Sequence, residues 1–577
     1  MEQKISEEAN RWANNSYFDN DFRDEIKKLI SEGNEKELVD RFYKGLEFGT
    51  GGLRGIIGAG SNRMNVYTVR KASQGLADYI NSMGDRVKGS GIAIAYDSRR
   101  FSEKFAQESA AVFAANGIPV YLFPELRPVP MLSFAVRELK AVAGIMITAS
   151  HNPPEYNGYK VYWEDGCQVT PPHDVGIINQ FQAIEEFSAI NTIPFEDGVA
   201  AKKIEYISKS VEEDYFQQVV ALSLAEMESN ENFNVVYTPL HGTGAYPVTE
   251  LLRRRGFKKL SVVAEQEKPD ENFSTVKSPN PEEGGAFDIA LSQVTEEDQL
   301  ILATDPDADR IGAMVKHQGE WVRLNGNQIG QLILFYYLSK SQDKGVLPSD
   351  GFYITTIVTS ELGQKIANHF GVKTRETLTG FKYIGSIIRE LEEEQSGTFV
   401  FGTEESHGYL LGDFVRDKDG VSACMIFAEM AADLKQKGKT VMDQLEEIHQ
   451  KHGYHLDTLI NKVIKGQEGA IKINEIMSTI RSHPFKEIGG GAVKEIRDYL
   501  QDAVFDARSG DKIRSMGQLK SNVLAFIMED GSRITVRPSG TEPKIKFYFN
   551  LCGEDPKRLS RIKESYESDF LSKIEMI

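Results

Sequence analysis

The sequence predicts an α/β protein of three similar mixed α/β domains followed by a C-terminal α+β domain, all around a central cleft. Short apolar runs alternate with segments of helical period, the grammar of α/β layers. Three of these runs, ending near Ile147, Ala303 and Phe401, deliver a polar loop directly off their carboxyl ends, where open α/β sheets carry their chemistry. Beyond about residue 456 the alternation gives way to a hairpin pattern. The 577 residues are too many for one core, and at roughly 150 residues per domain they suggest about four.

Composition narrows the function classes. The chain has 40% hydrophobic and 26% charged residues, ordinary for globular protein. Its 85 acidic against 67 basic residues give a net charge of -18, which repels nucleic acid and anionic membranes. Neither is expected as a partner, and an anionic small ligand must be met by a local basic cluster. The scattered Cys167, Cys424 and Cys552 suit a reducing compartment better than a disulfide framework. The first residues lack the apolar core of a signal peptide and no run reaches membrane-helix length, so a cytoplasmic location is expected.

Residues 1–44 are charged and helical in period, with Trp12, Phe18, Phe22, Ile26, Leu29 and Ile30 able to form one apolar face of an arm. Phe48-Gly-Thr-Gly-Gly-Leu-Arg54-Gly55 fails as a dinucleotide fingerprint, because Arg54 replaces the third glycine and no strand precedes it. As a loop whose backbone can approach a phosphate, with Arg54 pairing its oxygens, it is reasonable. A strand at 91–96, a helix at 102–116 capped by Ser102 and a strand at 120–123 make a βαβ unit. The apolar run 141–147 then leads into Thr148-Ala-Ser150-His151-Asn152-Pro-Pro-Glu-Tyr-Asn157-Gly-Tyr-Lys160, read as one loop. It holds a hydroxyl nucleophile, Ser150, beside proton carriers or cations, His151 and Lys160.

After a polar stretch near 190–205 the pattern restarts, with strands at 234–237, 260–263 and 300–303 and then Asp305-Pro-Asp307-Ala-Asp309-Arg310. Alternating aspartates in an extended loop can turn their carboxylates toward one hard cation such as Mg²⁺. A calcium EF-hand is excluded, since Arg310 and Lys316 stand where its glycine and glutamate belong. A third round places a loop at 378–382, with Gly380 and Lys382, and a strand at 398–401 that delivers Glu404-Glu-Ser406-His, whose carboxylate and hydroxyl can bind sugar hydroxyls. In the last region a hairpin at 524–536 leads to Arg537-Pro-Ser539-Gly540-Thr541, a guanidinium, two hydroxyls and flexible backbone suited to a phosphate dianion. Domains are therefore expected at 45–205 (nucleophile), 206–325 (metal), 326–455 (sugar) and 456–577 (phosphate).

Two patterns are set aside. Gly438-Lys439-Thr440 ends like a P-loop, but Asp433 occupies the place of its first glycine. His449, His452 and His455 lie three apart without Cys or acidic ligands in register for zinc.

In their order, the nucleophile, metal, sugar and phosphate loops resemble the α-D-phosphohexomutase family from about Tyr43 to the C-terminus. The length, the arm and the Arg54 segment are similar to its long bacterial phosphoglucomutase group, whose animal relatives include phosphopentomutase and glucose 1,6-bisphosphate synthase. The resemblance implies a phosphorylated Ser150 and Mg²⁺ held by Ser150, Asp305, Asp307 and Asp309, with Arg310 near the metal. It implies substrate contacts from Gly380, Lys382, Glu404, Ser406, Lys418, Arg537, Ser539, Gly540 and Thr541. His151, Lys160 and Arg54 are the candidates for moving or shielding the proton. The implied reaction interconverts glucose 1-phosphate and glucose 6-phosphate through glucose 1,6-bisphosphate. Phosphomannomutase, phosphopentomutase and metal-dependent sugar phosphatase remain alternatives, as does a silent sugar-phosphate sensor, and the oligomeric state is open. One departure lies before Arg416-Asp-Lys418-Asp-Gly420, where many relatives have a histidine and this chain has Asp413 and Phe414.

Overall fold

The structure, a computed structural model, describes residues 3–49, 51–464, 467–517, 519–539 and 544–577. They form two compact units. Unit 1 comprises Met1–Asn325, Gly385–Phe401 and Ser406–Gly438, and unit 2 comprises Gly326–Ile384, Gly402–Glu405 and Lys439–Ile577. Among the described residues, no helix is long and apolar enough to cross a membrane.

The first sheet of unit 1 contains β1 (Gly52–Ile56), β2 (Ile92–Tyr96), β3 (Val120–Leu122), β4 (Ala143–Ile147), β5 (Tyr156–Trp163) and β6 (Ile204–Tyr206), in the order β1-β5-β4-β2-β3-β6. β4, β2, β3 and β6 are parallel, while β5 and β1 turn back antiparallel. β2 and β4 are apolar and buried at every position, as strands covered on both faces must be. Helix Val66–Ser82, which packs against helices Ser102–Ala115 and His173–Ala183, starts from a capping box between Asn65 and Thr68.

The second sheet repeats the plan with β7 (Asn234–Thr238), β8 (Lys259–Val262), β9 (Leu300–Thr304), β10 (Ile311–His317) and β11 (Glu320–Arg323), ordered β11-β10-β9-β7-β8. β8, β7 and β9 are parallel; β10 and β11 return antiparallel. β4 and β9 therefore each stand where parallel pairing changes to antiparallel. The loops they deliver run straight into β5 and β10, so both loop ends are anchored in the sheet.

Several expectations need correction. Lys160 lies on β5, paired in register with Met146, and is not part of the Ser150 loop. The Arg54 segment is strand β1, not a loop: Arg54 is opposite Gly158, and a Cβ on Gly52 would collide with the Tyr159 carbonyl. A close backbone approach, which only glycine permits, explains that glycine. Ser102 does not cap its helix. Phe101 holds the cap position at φ 66°, and Ser102 Oγ donates to Asp97 instead. The polar stretch near 190–205 contains helix Phe195–Ala200 and leads into β6, the edge of the first sheet. The arm is three helices, Gln3–Asn14, Asn20–Ser31 and Glu35–Phe42, and Ile30 is exposed.

In unit 2, β12 (Gly351–Thr356) and β13 (Lys373–Thr377) are parallel neighbours with helix Leu362–His369 between them in the chain. β14 (Thr398–Glu404) carries the chain from unit 1 into unit 2, and β15 (Gly408–Leu411) follows in unit 1. The C-terminal region adds β16 (Tyr454–Val463), β17 (Glu487–Ile488), β18 (Gly491–Asp498), β19 (Ala503–Asp506), β20 (Lys512–Arg514), β21 (Leu524–Met528), β22 (Arg533–Pro538) and β23 (Lys544–Gly553). These form an antiparallel sheet ordered β16-β23-β22-β21-β18-β19-β20, with β17 beside β18, and helix Pro556–Glu575 packs on its core. A smaller cluster of Ile357, Val358, Leu378, Tyr499, Ala525 and Tyr548 joins this region to the β12–β13 segment. The fold is thus three α/β segments and a C-terminal α+β region.

The arm belongs to the core of the first sheet. Trp12 is fully buried, stacked on Phe18 at 4.1 Å between centroids and edge-on to Phe42, Tyr67 and Phe187. Trp12→Ala should therefore cost unit 1 about 3–5 kcal/mol. The check is urea unfolding followed by circular dichroism, where a midpoint unchanged from wild type would show that the arm is not integral to the unit.

Candidate active site

Ser150 is buried, just past the end of β4, and its backbone is left-handed at φ 52°. A residue with a Cβ adopts that conformation only when its surroundings enforce it, at about 1–3 kcal/mol. Its N–H donates to Thr148 Oγ1 at 2.8 Å, and its Oγ donates to Asp305 Oδ2 at 2.7 Å. His151 Nδ1 is 3.1 Å from the same Oγ. Arg54 Nη1 donates to Asn152 Oδ1 at 3.3 Å, which brings an exposed guanidinium to the loop.

The carboxylates of Asp305, Asp307 and Asp309 are fully buried, with ligand atoms within 4.8 Å of one another. Among the described residues this is the one grouping of three or more His, Cys, Asp or Glu side chains with such geometry. Thr148 Oγ1 also donates to Asp307 Oδ2, at 3.2 Å, so the nucleophile and acidic loops share a hydrogen-bonding residue that sequence reading passed over. Lys160 Nζ lies 2.8 Å from Asp307 and 3.5 Å from Asp309. Lys418 Nζ lies 3.2 Å from Asp309, although its expected place was among the sugar contacts. Arg310 pairs with Glu282, and its backbone N–H donates to Asp305 Oδ1 at 3.1 Å. Asp307 Oδ1 and Asp309 Oδ1 are buried without a hydrogen-bond donor. Acceptor-only atoms in that state call for a cation, and an all-oxygen set fits a hard one such as Mg²⁺.

The backbone of this acidic loop is held from three directions. Thr243 N–H and Oγ1 donate to Pro306 O at 2.8 and 2.9 Å, Val129 N–H to Asp307 O at 3.0 Å, and Gly420 N–H to Ala308 O at 3.2 Å. Ala308 is itself left-handed at φ 47°. Glycines at 242 and 420 allow the approach, since a Cβ on either would lie 2.5 or 2.6 Å from backbone atoms of Pro306 or Ala308. The glycines of Pro-Leu-His-Gly-Thr-Gly were the available signal for this cradle.

Electrostatics follow from burial and these neighbours. Burial, then the charges of Asp307 and Asp309, hold the Asp305 carboxyl well above the usual range. Burial acts on Asp309 in the same sense, but Lys418, Lys160 and Arg310 outweigh it and hold that carboxyl below its ordinary value. Burial would lower Lys160, yet Asp307 and Asp309 keep its ammonium above the ordinary value. Burial, aided by Arg310 and Arg54, pushes the His151 imidazole well below its ordinary value. His151 is therefore neutral at pH 7, able to give or take a proton at Ser150 Oγ, whereas Lys160 is a fixed cation.

Unit 2 holds most of the remaining expected residues. Glu404 is buried and its Oε1 accepts the N–H of Gly380, at φ 126°, over 2.7 Å. Lys382 lies over the Tyr383 ring at 5.1 Å. Arg537, next to last in β22, is opposite Lys546, and Ser539 N–H donates to Lys544 O at 2.8 Å. Gly540 and Thr541 lie outside the described residues. Ser406, partly exposed, belongs to unit 1. The patterns set aside are accounted for. Gly438 follows helix Gly420–Gln436, Thr440 caps helix Val441–His452, and His449 and His452 face Tyr454 and His369.

The chain matches four family descriptions of Phosphoglucomutase/phosphomannomutase: alpha/beta/alpha domain I over residues 45–188, II over 213–319, III over 325–452, and the C-terminal domain over 486–567. It belongs to the phosphoglucomutase/phosphomannomutase family, the α-D-phosphohexomutases, intramolecular phosphotransferases of the isomerase class. A phosphoglucomutase of Staphylococcus aureus (strain USA300) is 40% identical over 531 residues, covering 91% of this chain and 93% of that one. Two solved structures share the fold. Pp63/parafusin, a phosphoglucomutase from Paramecium, has a TM-score of 0.68 at 20% identity, covering 92% of this chain and 96% of its own. A phosphoglucomutase/phosphomannomutase family protein from Burkholderia thailandensis has 0.65 at 16%, covering 92% and 97%.

Gly420→Ala should displace the Ala308 carbonyl and loosen the aspartate cluster without touching a carboxylate. Affinity for Mg²⁺ or Mn²⁺ is expected to fall by about 10-fold or more, as when a ligand's support is removed. Isothermal titration is the check, and equal affinity in the two proteins would dismiss the cradle.

Proposed function

We propose that the protein is a phosphoglucomutase that interconverts glucose 1-phosphate and glucose 6-phosphate by way of phosphorylated Ser150. The observation that carries this reading is Ser150 Oγ at 2.7 Å from Asp305 in a buried carboxylate cluster flanked by Lys160 and Lys418. Phosphoserine 150, with roughly -1.5 to -2 charges at neutral pH, gives its phosphoryl group to the free hydroxyl of a bound sugar monophosphate. The Oγ–P bond breaks, an O–P bond to the sugar forms, and the proton of the sugar hydroxyl ends on the Ser150 Oγ that is released. The product is glucose 1,6-bisphosphate. Its other phosphate then returns to Ser150 Oγ, whose proton passes to the neutral His151 imidazole beside it and ends on the sugar oxygen that the phosphate has left. Lys160, a held ammonium, offsets negative charge on the group in transfer. Asp305, Asp307 and Asp309 with Ser150 would hold Mg²⁺, which supplies charge neutralisation for the phosphoryl oxygens.

Glu404 and the Gly380–Lys382 turn, with Ser406, are assigned to the sugar hydroxyls, and Arg537 with Ser539, Gly540 and Thr541 to the phosphate that is not reacting. Cys167, Cys424 and Cys552, none of them in a disulfide, support a reducing, cytoplasmic setting.

Ser150→Ala should lose mutase turnover while keeping the wild-type circular dichroism spectrum, and intact-mass analysis should find a phosphoryl adduct in active wild type that the variant lacks. Near-normal turnover in the variant would remove Ser150 from the chemistry. Turnover with glucose, mannose and ribose 1-phosphates, each with a trace of bisphosphate, tests the sugar assignment. Glucose should lead, and inversion at C2 should cost about 1–3 kcal/mol through unpaired groups. A ribose kcat/KM above that of glucose would overturn the hexose assignment. In Glu404→Gln the glucose-to-mannose ratio should contract.

A further inference from the structure

We propose that Arg99 is the positioning residue that holds the nucleophile loop in its reactive conformation, an inference that rests on Ser150 being the group that carries phosphate. Asp97-Ser-Arg99-Arg100 leaves the carboxyl end of β2, the parallel neighbour of β4. The Arg99 guanidinium is buried and donates to four carbonyls, three in the Ser150 loop and one at Tyr156, where β5 begins. Its Nη2 meets Ser150 O and Asn152 O, and its Nη1 meets Pro153 O at 2.9 Å and Tyr156 O at 3.1 Å.

The loop needs this partner because of its own sequence. The peptide bonds Asn152–Pro153 and Pro153–Pro154 have no N–H, so the segment cannot join a strand ladder or a helix. A planar fork with five N–H donors can serve four carbonyls at once, which an ammonium with three cannot. The fork is itself fixed from behind. Asp97 Oδ2 lies 3.3 Å from Nε, Asp97 Oδ1 accepts the Arg99 N–H at 3.0 Å and Ser102 Oγ at 2.7 Å, and the Phe273 ring lies 5.0 Å from the guanidinium carbon.

The consequence falls on one atom. Thr148 Oγ1 fixes the peptide group before the Ser150 Cα, and Arg99 fixes the one after it. With both held, the left-handed backbone at φ 52° leaves χ1 as the remaining freedom of Ser150 Oγ. The same trans peptide that turns Ser150 O to Arg99 turns the His151 N–H to its opposite side. Arg99 touches no reacting atom; it acts through the loop.

The test compares wild type with Arg99→Lys, which keeps the charge and loses the fork, and Arg99→Ala with and without methylguanidinium. In Arg99→Lys the kcat for glucose 1-phosphate should fall on the order of 100-fold, the effect of misplacing a reacting group by about 1 Å. KM should stay within about twofold, because binding groups are untouched. Methylguanidinium should restore part of the turnover of Arg99→Ala and none to Ser150→Ala. An active, phosphorylated wild type beside an Arg99→Lys kcat within about threefold of it, or an Arg99→Lys that fails to fold by circular dichroism, overturns the role of Arg99 alone. Wild type lacking both phosphoserine and mutase turnover overturns the reading of Ser150 and this inference with it.

Discussion

Three carboxylates buried within 4.8 Å of one another are the constraint to which unit 1 answers. Two unit charges 4 Å apart repel by about 4 kcal/mol even at an effective dielectric of 20, so the cluster persists only where positive groups converge on it. They come from separate parts of the chain: Lys160 from β5, Arg310 from the loop itself, and Lys418 from the segment 406–438. That last contact, with the Gly420 N–H on Ala308 O and His407 Nδ1 at 2.8 Å from Ile311 O, helps explain why a stretch so late in the sequence belongs to unit 1. The left-handed backbones at Ser150, Ala308 and His407 mark where these segments meet.

Much of the chemistry was legible because its residues are clustered in sequence. Alternating aspartates and a Ser-His pair off an apolar strand each announce themselves within a few positions. The strands that deliver them were legible for a related reason, being buried on both faces and therefore uninterrupted in apolar character. What sequence could not supply was the antiparallel return after β4 and β9. Tyr156–Trp163 and Ile311–His317 read equally well as loop or strand until their neighbours in the sheet are known, because pairing is a long-range property.

The same limit explains the displaced roles of individual residues. Lys160 and Arg54 sit on adjacent strands, and only the register of β1, β5 and β4 brings Arg54 to the Ser150 loop and Lys160 to the aspartates. Arg99 carried no signal, and Thr148 only as the first residue of the Ser150 stretch, since an arginine after a strand and a threonine before a serine are commonplace. Their importance lies in which carbonyls and carboxylates they meet. The Gly-Thr-Gly cradle was visible as glycine, and its target was not.

The division of the chain between two units bears on its synthesis. The aspartate loop leaves the ribosome more than a hundred residues before Lys418, so at 5–20 residues per second the nascent chain waits on the order of ten seconds for that cation. In between, the ribosome makes 326–384, which belong to the other unit, and crosses back twice more before residue 438. An emerging chain therefore cannot complete unit 1 and then move on to unit 2. It carries an unfinished acidic centre past a foreign segment, and a ribosome that stalls between residues 310 and 418 leaves a fragment whose buried carboxylates lack one of their counter-charges. Such fragments are natural clients for chaperones and proteases, and this fold is poorly suited to being split into independently expressed halves.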